Sequence, residues 1–292
     1  MSALLQNTPE WLEERKKHIG ASDAPVIMGV SPWKTPFQLW ELKWGLSEPE
    51  KTTFAMKRGL EKEEMARKLF EEQTKIIMFP QVVFHPKYNW MMASLDGMDI
   101  ENKNILEIKC PNFNDHTLAK NNVIPEHYYP QLQHQMEVTG LDKVYYFSYY
   151  EHDDNNFDTA LVECYRDNDY ISKMLEKHKE FYQFMQDFIP PPLTERDYEK
   201  KSDHIWSAYA SEWMQTTKKL KEIEKKENEL REILILMSNG KNCIGGGIKT
   251  RKMVRKGNID YSIIPELQGL NLDKYRKDTV EWWKIMKEKD NV

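Results

Sequence analysis

The period of the apolar positions changes several times along the first 190 residues, and each change marks an element. Thr8-Pro9-Glu10 reads as an N-cap with proline at the first helical position, which predicts a helix to about His18. Gly20-Ala21-Ser22-Asp23 reads as a turn opening a short helix that ends at Gly29. Thr35-Pro36-Phe37-Gln38 is a capping-box start, and that helix closes at Gly45. From about 53 to 72, Leu60, Glu63, Ala66, Leu69 and Phe70 recur near one face of a longer helix. The pattern then turns to that of strands, at Ile76–Phe84, at Trp90–Ser94 and at Ile105–Cys110, with a turn at Asp96-Gly97 between the second and third. Alternation in the third strand sets Glu107 and Lys109 on one side, Leu106 and Ile108 on the other. A helix follows from Pro125, regular from Pro130, to Val138, with Gly140 as its stop. Two more strands fall at Lys143–Tyr150 and Phe157–Tyr165. A helix over about 169–188 ends at Pro190-Pro191-Pro192, none of which can continue it.

Beyond the prolines the pattern is different. Residues 195–237 are helical and charge-rich, predicting a long exposed helix or half of a helical hairpin. Gly245-Gly246-Gly247 reads as a flexible break. A basic strand-like run, Ile248 to Lys256, comes next, and a last helix carries Trp282, Trp283 and Met286. These elements predict an α/β fold in which residues 1–190 form a mixed central sheet flanked by helices. Residues 195–292 are a charged, mainly helical extension with some β structure.

Composition narrows the classes. No apolar run of about 18 residues suits a membrane span, and the N-terminus lacks a signal-peptide pattern, so a cytoplasmic protein is expected. Cys110, Cys164 and Cys243 lie far apart without a CxxC pair; they read as buried or half-buried free thiols rather than disulfide or metal ligands. Net charge is −5, but unevenly spread: the first 194 residues carry 21 basic and 30 acidic groups, the remainder 21 and 17. An acidic first part would need cations to approach a polyanion, and the basic C-terminal part could help hold one.

Asp96, Glu107 and Lys109 form the constellation with chemical content. A hairpin would bring Asp96 beside Glu107, and two carboxylates in a small space repel until a hard dication relieves them. Magnesium favours one or two such carboxylates with waters and phosphate oxygens, and Lys109 would hold an attacking water or neutralise developing charge. The bland alternative is a surface salt bridge, since Glu-x-Lys is common by chance.

The order of motifs resembles the YqaJ/lambda-exonuclease family of phage-type recombination nucleases, within the PD-(D/E)xK superfamily. The resemblance runs from about Trp11 to Tyr150. It rests on Trp11-Leu12-Glu13-Glu14-Arg15 with Ile19-Gly20-Ala21-Ser22-Asp23, on Arg58-Gly59-Leu60-Glu61-Lys62-Glu63, and on Ala93-Ser94-Leu95-Asp96-Gly97, where Leu95 replaces the usual proline. It continues with Leu106-Glu107-Ile108-Lys109-Cys110-Pro111 and Tyr128-Tyr129-Pro130-Gln131-Leu132-Gln133. What it implies is a restriction-endonuclease-like core and a magnesium-dependent 5′→3′ exonuclease on double-stranded DNA, with manganese as a substitute ion. The products would be 3′ overhangs for recombination by single-strand annealing. Glu63, Asp96, Glu107 and the Ile108 carbonyl would face metal, and Arg15 and Ser22 would bind a 5′ phosphate. Gln131 and Gln133 would lie near the site. The family also implies a homo-oligomer, often a trimeric ring, and a single-strand annealing partner protein. The alternatives are an endonuclease, a RecB-like nuclease component, or a DNA-end-binding protein that has lost catalysis.

Each further residue has a plain reading beside the functional one. Arg15 sits among surface charges, but Ser22 at a helix start offers free N–H groups to a phosphate, and Asp23 reads as a cap or as Arg15's partner. Gln131 and Gln133 point about 200° apart on a helix, so one meets the site and the other packs or bonds a strand edge; Gln131 is preferred for a metal-bound water. Gln133 stays a candidate for DNA contact. His127 and His134 share a spacing but read as structural. Trp40 and Trp44 suit core packing, whereas Trp33, beside Pro32 in a loop, suits a wedge at a duplex end. Lys249 and Arg251 in the basic run are candidates for DNA backbone contact, against the alternative of a solvated strand edge.

Overall fold

A computed structural model describes residues 4–47, 54–152, 156–255, 257, 264–267 and 270. The helix expected around Trp282, Trp283 and Met286, and Lys256, lie outside these residues. The chain divides into two compact units, Met1–Glu199 and Lys200–Val292.

In the first unit the helices are α1 (Pro9–Lys17), α2 (Ala24–Ile27), α3 (Pro36–Trp44), α4 (Phe54–Thr74), α5 (Phe113–Lys120), α6 (Tyr129–Thr139) and α7 (Asn168–Asp187). The strands are β1 (Phe79–Phe84), β2 (Met92–Met98), β3 (Ile105–Lys109), β4 (Lys143–Glu151) and β5 (Phe157–Tyr165). They form one mixed sheet in the order β1-β2-β3-β4-β5. Only β3 and β4 run parallel, so the chain must cross over between them, and α5 and α6 make that crossover. The expected α/β class, a mixed sheet flanked by helices, is the observed one.

The sheet is apolar on both faces. On one, Leu132, Met136 and Val138 of α6 pack on Ala93, Leu95, Ile105, Val144 and Tyr146. On the other, Ala66 and Phe70 of α4 meet Met78, Leu106, Ile108, Phe147 and Tyr149. The predicted alternation in β3 is therefore realised, with Leu106 and Ile108 toward α4. In α7, Ile171, Met174, His178, Phe181 and Met185 recur at three- and four-residue spacing and are its buried face. Phe181 and Met185 close a third cluster with Val26, Ile27, Leu39 and Trp40.

Most predicted elements stand within a few residues of their expected bounds. One that was not foreseen is α5, capped by the Asn112 side chain on the Asp115 N–H. Cys243 is exposed rather than buried. Trp44 is also partly exposed, its ring edge on Phe188. The last part of the first unit extends past the triple proline. Arg196 donates to the carbonyls of Ser31 and Pro32, both at 2.8 Å, and Asp197 accepts from the Thr35 hydroxyl.

Asp96-Gly97 is not a turn. Strand β2 runs on to Met98, and the turn lies at 99–104, where the Asp99 carboxylate accepts the N–H groups of Lys103 and Asn104. What occurs at Asp96-Gly97 is a bulge. Phe79 pairs with Met98 but Gln81 with Leu95, so two residues of β2 oppose Pro80 of β1. Proline has no N–H to give a ladder, and β1 is an edge strand, so both tolerate this. Gly97 is needed for contact rather than for turning: a Cβ there would lie 2.7 Å from Met78 Cβ and 3.2 Å from Leu106 Cβ.

In the second unit, α8 (His204–Met237) precedes a hairpin of β6 (Cys243–Gly245) and β7 (Ile248–Thr250). The glycine run is thus an ordered turn rather than a flexible break. Gly246 and Gly247 both have positive φ, 57° and 80°, as a two-residue hairpin turn requires. Among the described residues no helix is long and apolar enough to cross a membrane.

Because Met78 and Leu106 meet Gly97 with backbone-fixed Cβ atoms, Gly97→Ala is expected to cost about 1–3 kcal/mol by overpacking. Gly59→Ala, on α4 with nothing within 4 Å, should instead stabilise by up to about 1 kcal/mol. Denaturant unfolding of the two variants beside the parent checks the opposite signs.

Candidate active site

The bulge re-aims Asp96. Beyond it the β2–β3 ladder is short, pairing only Gly97 with Leu106 and Met98 with Ile105. Where the next backbone bond would fall, the Asp96 side chain takes over: its Oδ2 accepts the Ile108 N–H at 2.8 Å. Its other oxygen receives no bond from any described residue. Continuing the register sets Asp96 against Glu107, and the two carboxylates interact. Burial, then repulsion from Glu107 and Glu63, pushes the Asp96 carboxyl well above the usual aspartate range.

Glu107 is 1% exposed and is held from three sides. Lys109, two residues on along the same strand face, pairs with Oε1. Gln131 Nε2 donates to Oε1 at 2.6 Å, and Gln135 Nε2 donates to Oε2 at 2.5 Å. The Gln135 carbonyl oxygen is buried with no hydrogen-bond partner among the described residues. Burial alone would draw the Lys109 ammonium down, but Glu107 and Asp96 outweigh it and hold it above the ordinary lysine value. It stays charged, 23% exposed, with Nζ 5.3 Å from the Tyr128 ring centre.

Tyr128 leads outward from the lysine. Trp33 stacks on it at 6.2 Å between ring centres and meets His127 edge-on at 4.9 Å. Trp33 is 63% exposed, so an apolar ring stands at the open side of the lysine. His127 faces Asp115 at 3.4 Å, and His134 lies buried against the Met92 carbonyl at 3.0 Å.

Arg15 and Ser22 also meet. Arg15 lies over the Trp11 ring at 4.7 Å and donates to Ser22 Oγ at 2.8 Å. Trp11 in turn donates to Ser94 Oγ at 2.9 Å, two residues before Asp96 on β2. Asp23 caps the Gly20 N–H at 2.9 Å and forms a buried ion pair at 2.5 Å with Lys43, which sequence reasoning did not single out. Burial pushes the Asp23 carboxyl up, yet Lys43 and Arg15 overcome it and hold the carboxyl below its ordinary value.

The expectations for Gln133 and Glu63 change. Gln133 is 0% exposed; its amide donates to the Tyr165 carbonyl at 2.9 Å and accepts the Asp167 N–H at 2.9 Å. It bonds a strand end and has nothing left for DNA. Its place beside Glu107 belongs to Gln135, one helical turn from Gln131 and therefore on the same face, a spacing visible in the sequence. Glu63 is near enough to raise Asp96 but is paired with Arg67 at 2.9 Å. Ile108 sits between the two key residues of β3, its side chain in the α4-side core. Lys249 lies on β7, and Arg251 just beyond it, both exposed in the second unit.

Among the described residues no three acidic, histidine or cysteine groups form a ready ligand set for a metal. The donor chemistry nevertheless fits a hard dication. Two carboxylates interact, one is held protonation-prone by burial and by the other, and one of its oxygens receives no donor among the described residues.

Residues 10–142 match the family model described as the YqaJ-like viral recombinase domain. The uncharacterized protein YqaJ of Bacillus subtilis (strain 168) is 38% identical over 134 residues, 45% of this chain and 42% of that protein. The match thus spans less than half the length of this curated relative. An alkaline exonuclease from Laribacter hongkongensis, LHK-Exo, is similar in structure, with a TM-score of 0.52 at 26% identity over 62% of this chain and 94% of that one. Its complex with dAMP matches with the same TM-score and identity. The paired carboxylates, the lysine and both glutamines all lie within residues 10–142, the segment that matches the YqaJ-like viral recombinase domain model.

Proposed function

We propose that this chain is a divalent-metal-dependent exonuclease that degrades one strand of double-stranded DNA from its 5′ end. One observation carries the reading: the buried carboxylates of Asp96 and Glu107, at adjoining positions of β2 and β3, interact, with Lys109 paired to Glu107. Likeness to an alkaline exonuclease that was captured with dAMP supports the substrate class.

Asp96 and Glu107 would hold a magnesium or manganese ion, with the Ile108 carbonyl and, after release from Arg67, Glu63 as further donors. When bound, the ion supplies a water of lowered pKa and a polarised phosphate. The chain's own groups do the rest. Gln131 and Gln135 fix the Glu107 carboxylate, so it cannot rotate away with Lys109. Lys109, always charged here, orients the attacking water or steadies the charge that develops on phosphorus. Arg15 and Ser22 offer a guanidinium and a hydroxyl to a terminal 5′ phosphate, at the cost of their mutual bond. Trp33 caps the exposed end of the duplex by stacking. Lys249 and Arg251 contribute backbone contacts. The products are mononucleotides and a 3′ overhang for a single-strand annealing partner, and the nuclease works as a homo-oligomer, in a ring of three copies around DNA.

With magnesium, linear duplex bearing 5′ phosphates should be digested while covalently closed circles survive. Release of a 5′ label should precede that of a 3′ label. Cleavage of circles, or equal attack from 3′ ends, sinks the reading. Glu107→Gln and Lys109→Ala should each lower the rate by about 100-fold or more while linear DNA is still bound.

Asp96→Asn separates function from stability. The folded carboxyl titrates above its unfolded value, so its contribution favours folding below the ordinary aspartate range and is lost as pH rises through the folded value. Asp96→Asn should therefore abolish cleavage yet raise the denaturation midpoint of the metal-free protein near neutral pH. That gain should vanish below the ordinary aspartate range. Thermal unfolding in chelator across pH checks the sign.

A further inference from the structure

Helix α8 has 34 residues, about 50 Å of length at 1.5 Å per residue, and none of them is buried. Long isolated helices of this kind depend on burying one face. This one has such a face: Trp206, Tyr209, Trp213, Thr216, Leu220, Ile223, Glu227, Leu230, Leu234 and Met237 follow one another at alternating steps of three and four. Nearly five heptads of this seam is the pattern of a coiled coil. Tyr209 is 71% and Ile223 65% exposed, so the seam lacks a partner among the described residues of the second unit.

We infer that α8 pairs with α8 of a second copy of this chain as an antiparallel two-helix coiled coil. The sequence of the seam selects both occupant and direction. When two copies run antiparallel about a dyad between Lys221 and Glu222, Leu220 meets Ile223, Trp213 meets Leu230, Tyr209 meets Leu234 and Trp206 meets Met237. Each large aromatic ring of the N-terminal half then lies on an aliphatic side chain of the other copy. The two polar positions, Thr216 and Glu227, fall together in one layer, where the hydroxyl can donate to the carboxylate. Arg231 already holds that carboxylate through bonds of 2.8 and 2.7 Å to its two oxygens. A parallel pair would instead set Glu227 against Glu227 and stack the tryptophans on themselves, burying like charge. The helix carries six basic and six acidic residues, so two copies meet without net repulsion.

A second feature fits the same partner. At the far end of the seam, Leu234, Met237, Ile244 and Ile248 line a cleft of ≈ 170 Å³ between α8 and the β6–β7 hairpin. The antiparallel register brings Trp206 of the other copy to Met237, at the mouth of this cleft. An aromatic anchor in an apolar seat is how helix interfaces concentrate their energy.

The test uses the full chain. Leu220→Glu with Ile223→Glu should halve the number of chains per particle in sedimentation equilibrium, from six to three where the first unit forms the proposed ring, two rings being joined through α8, and from two to one where it forms none. Digestion of linear DNA by the variant serves as a control for folding. In a Cys243→Ser background, a mixture of Leu220→Cys and Ile223→Cys proteins should oxidise to a disulfide-linked dimer several-fold more than either protein alone. An unchanged particle mass overturns the inference, whether the seam is then covered by residues 271–292 of the same chain or by a different protein. Equally efficient linking of Leu220→Cys with itself overturns the antiparallel pairing.

Discussion

Two carboxylates forced together in a dry place are the constraint on which the first unit is built. Asp96 and Glu107 repel, and neither can escape, because one is pinned by a backbone N–H and the other by a lysine and two glutamines. Such an arrangement works against stability unless a positive charge joins it. Lys109 supplies part of that charge. The Asp96 carboxyl remains well above its ordinary range, so its deficit is not made up within the chain. The bulge in β2, the glycine wedged between Met78 and Leu106, and the helix that brings Gln131 and Gln135 over Glu107 all serve to hold this unfavourable pair in place.

The surroundings are tied to the pair through few bonds. Trp11 reaches from α1 to Ser94 on β2, so the Arg15–Ser22 corner is referenced to the strand that carries Asp96. Lys43 binds the carbonyls of Arg15 and His18 at 2.6 and 2.7 Å as well as Asp23, fixing the end of α1 and the start of the next turn from α3. The loop that bears Trp33 is clamped by Arg196, whose guanidinium holds the carbonyls of Ser31 and Pro32. A bidentate guanidinium on two successive carbonyls leaves that loop little freedom, and the indole beyond it is placed against Tyr128. Residues past the triple proline thus belong physically to the first unit, because a proline run ends a helix without ending a domain.

Local signals were legible where they were strong and regular. Caps at Thr8 and Thr35, the seam of α7 and the alternation in β3 follow from side chains that interact with their own backbone or repeat at the element's period. The failures share another cause. Asp96-Gly97 looks like a turn because the dipeptide favours one, yet the sheet extends through it; the bulge is specified by Pro80, Met78 and Leu106, all distant in sequence. Helix α5 has an adequate cap and no clear apolar period, so only packing reveals it. Gln133 took attention that belonged to Gln135, although helical geometry places Gln135, not Gln133, one turn above Gln131. Glu107 and Lys109 could be named from alternation, but that Glu107 would be almost wholly buried could not, because burial is set by α6 from the crossover that follows.

Charge bears on why the proposed reading gives this site an ion from solution. The first 194 residues carry a net charge of −9, and three cations around the site are paired with acids, Lys43 with Asp23, Lys109 with Glu107 and Arg67 with Glu63, whereas Arg15 and Arg58 donate to the Ser22 hydroxyl and the Cys110 carbonyl. Fully or partly buried pairs of this kind project little field outward, since each dipole closes on itself within a few ångströms. A polyanion approaching the carboxylates therefore finds little uncompensated positive charge from these residues. In the proposed reading an exchangeable cation supplies it, and the same cation would relieve the repulsion that, after burial, holds Asp96 out of its normal range. On that reading the destabilising feature of the fold and the electrostatic requirement of a phosphodiester substrate would have one remedy, which is the physical reason to propose the chemistry between β2 and β3.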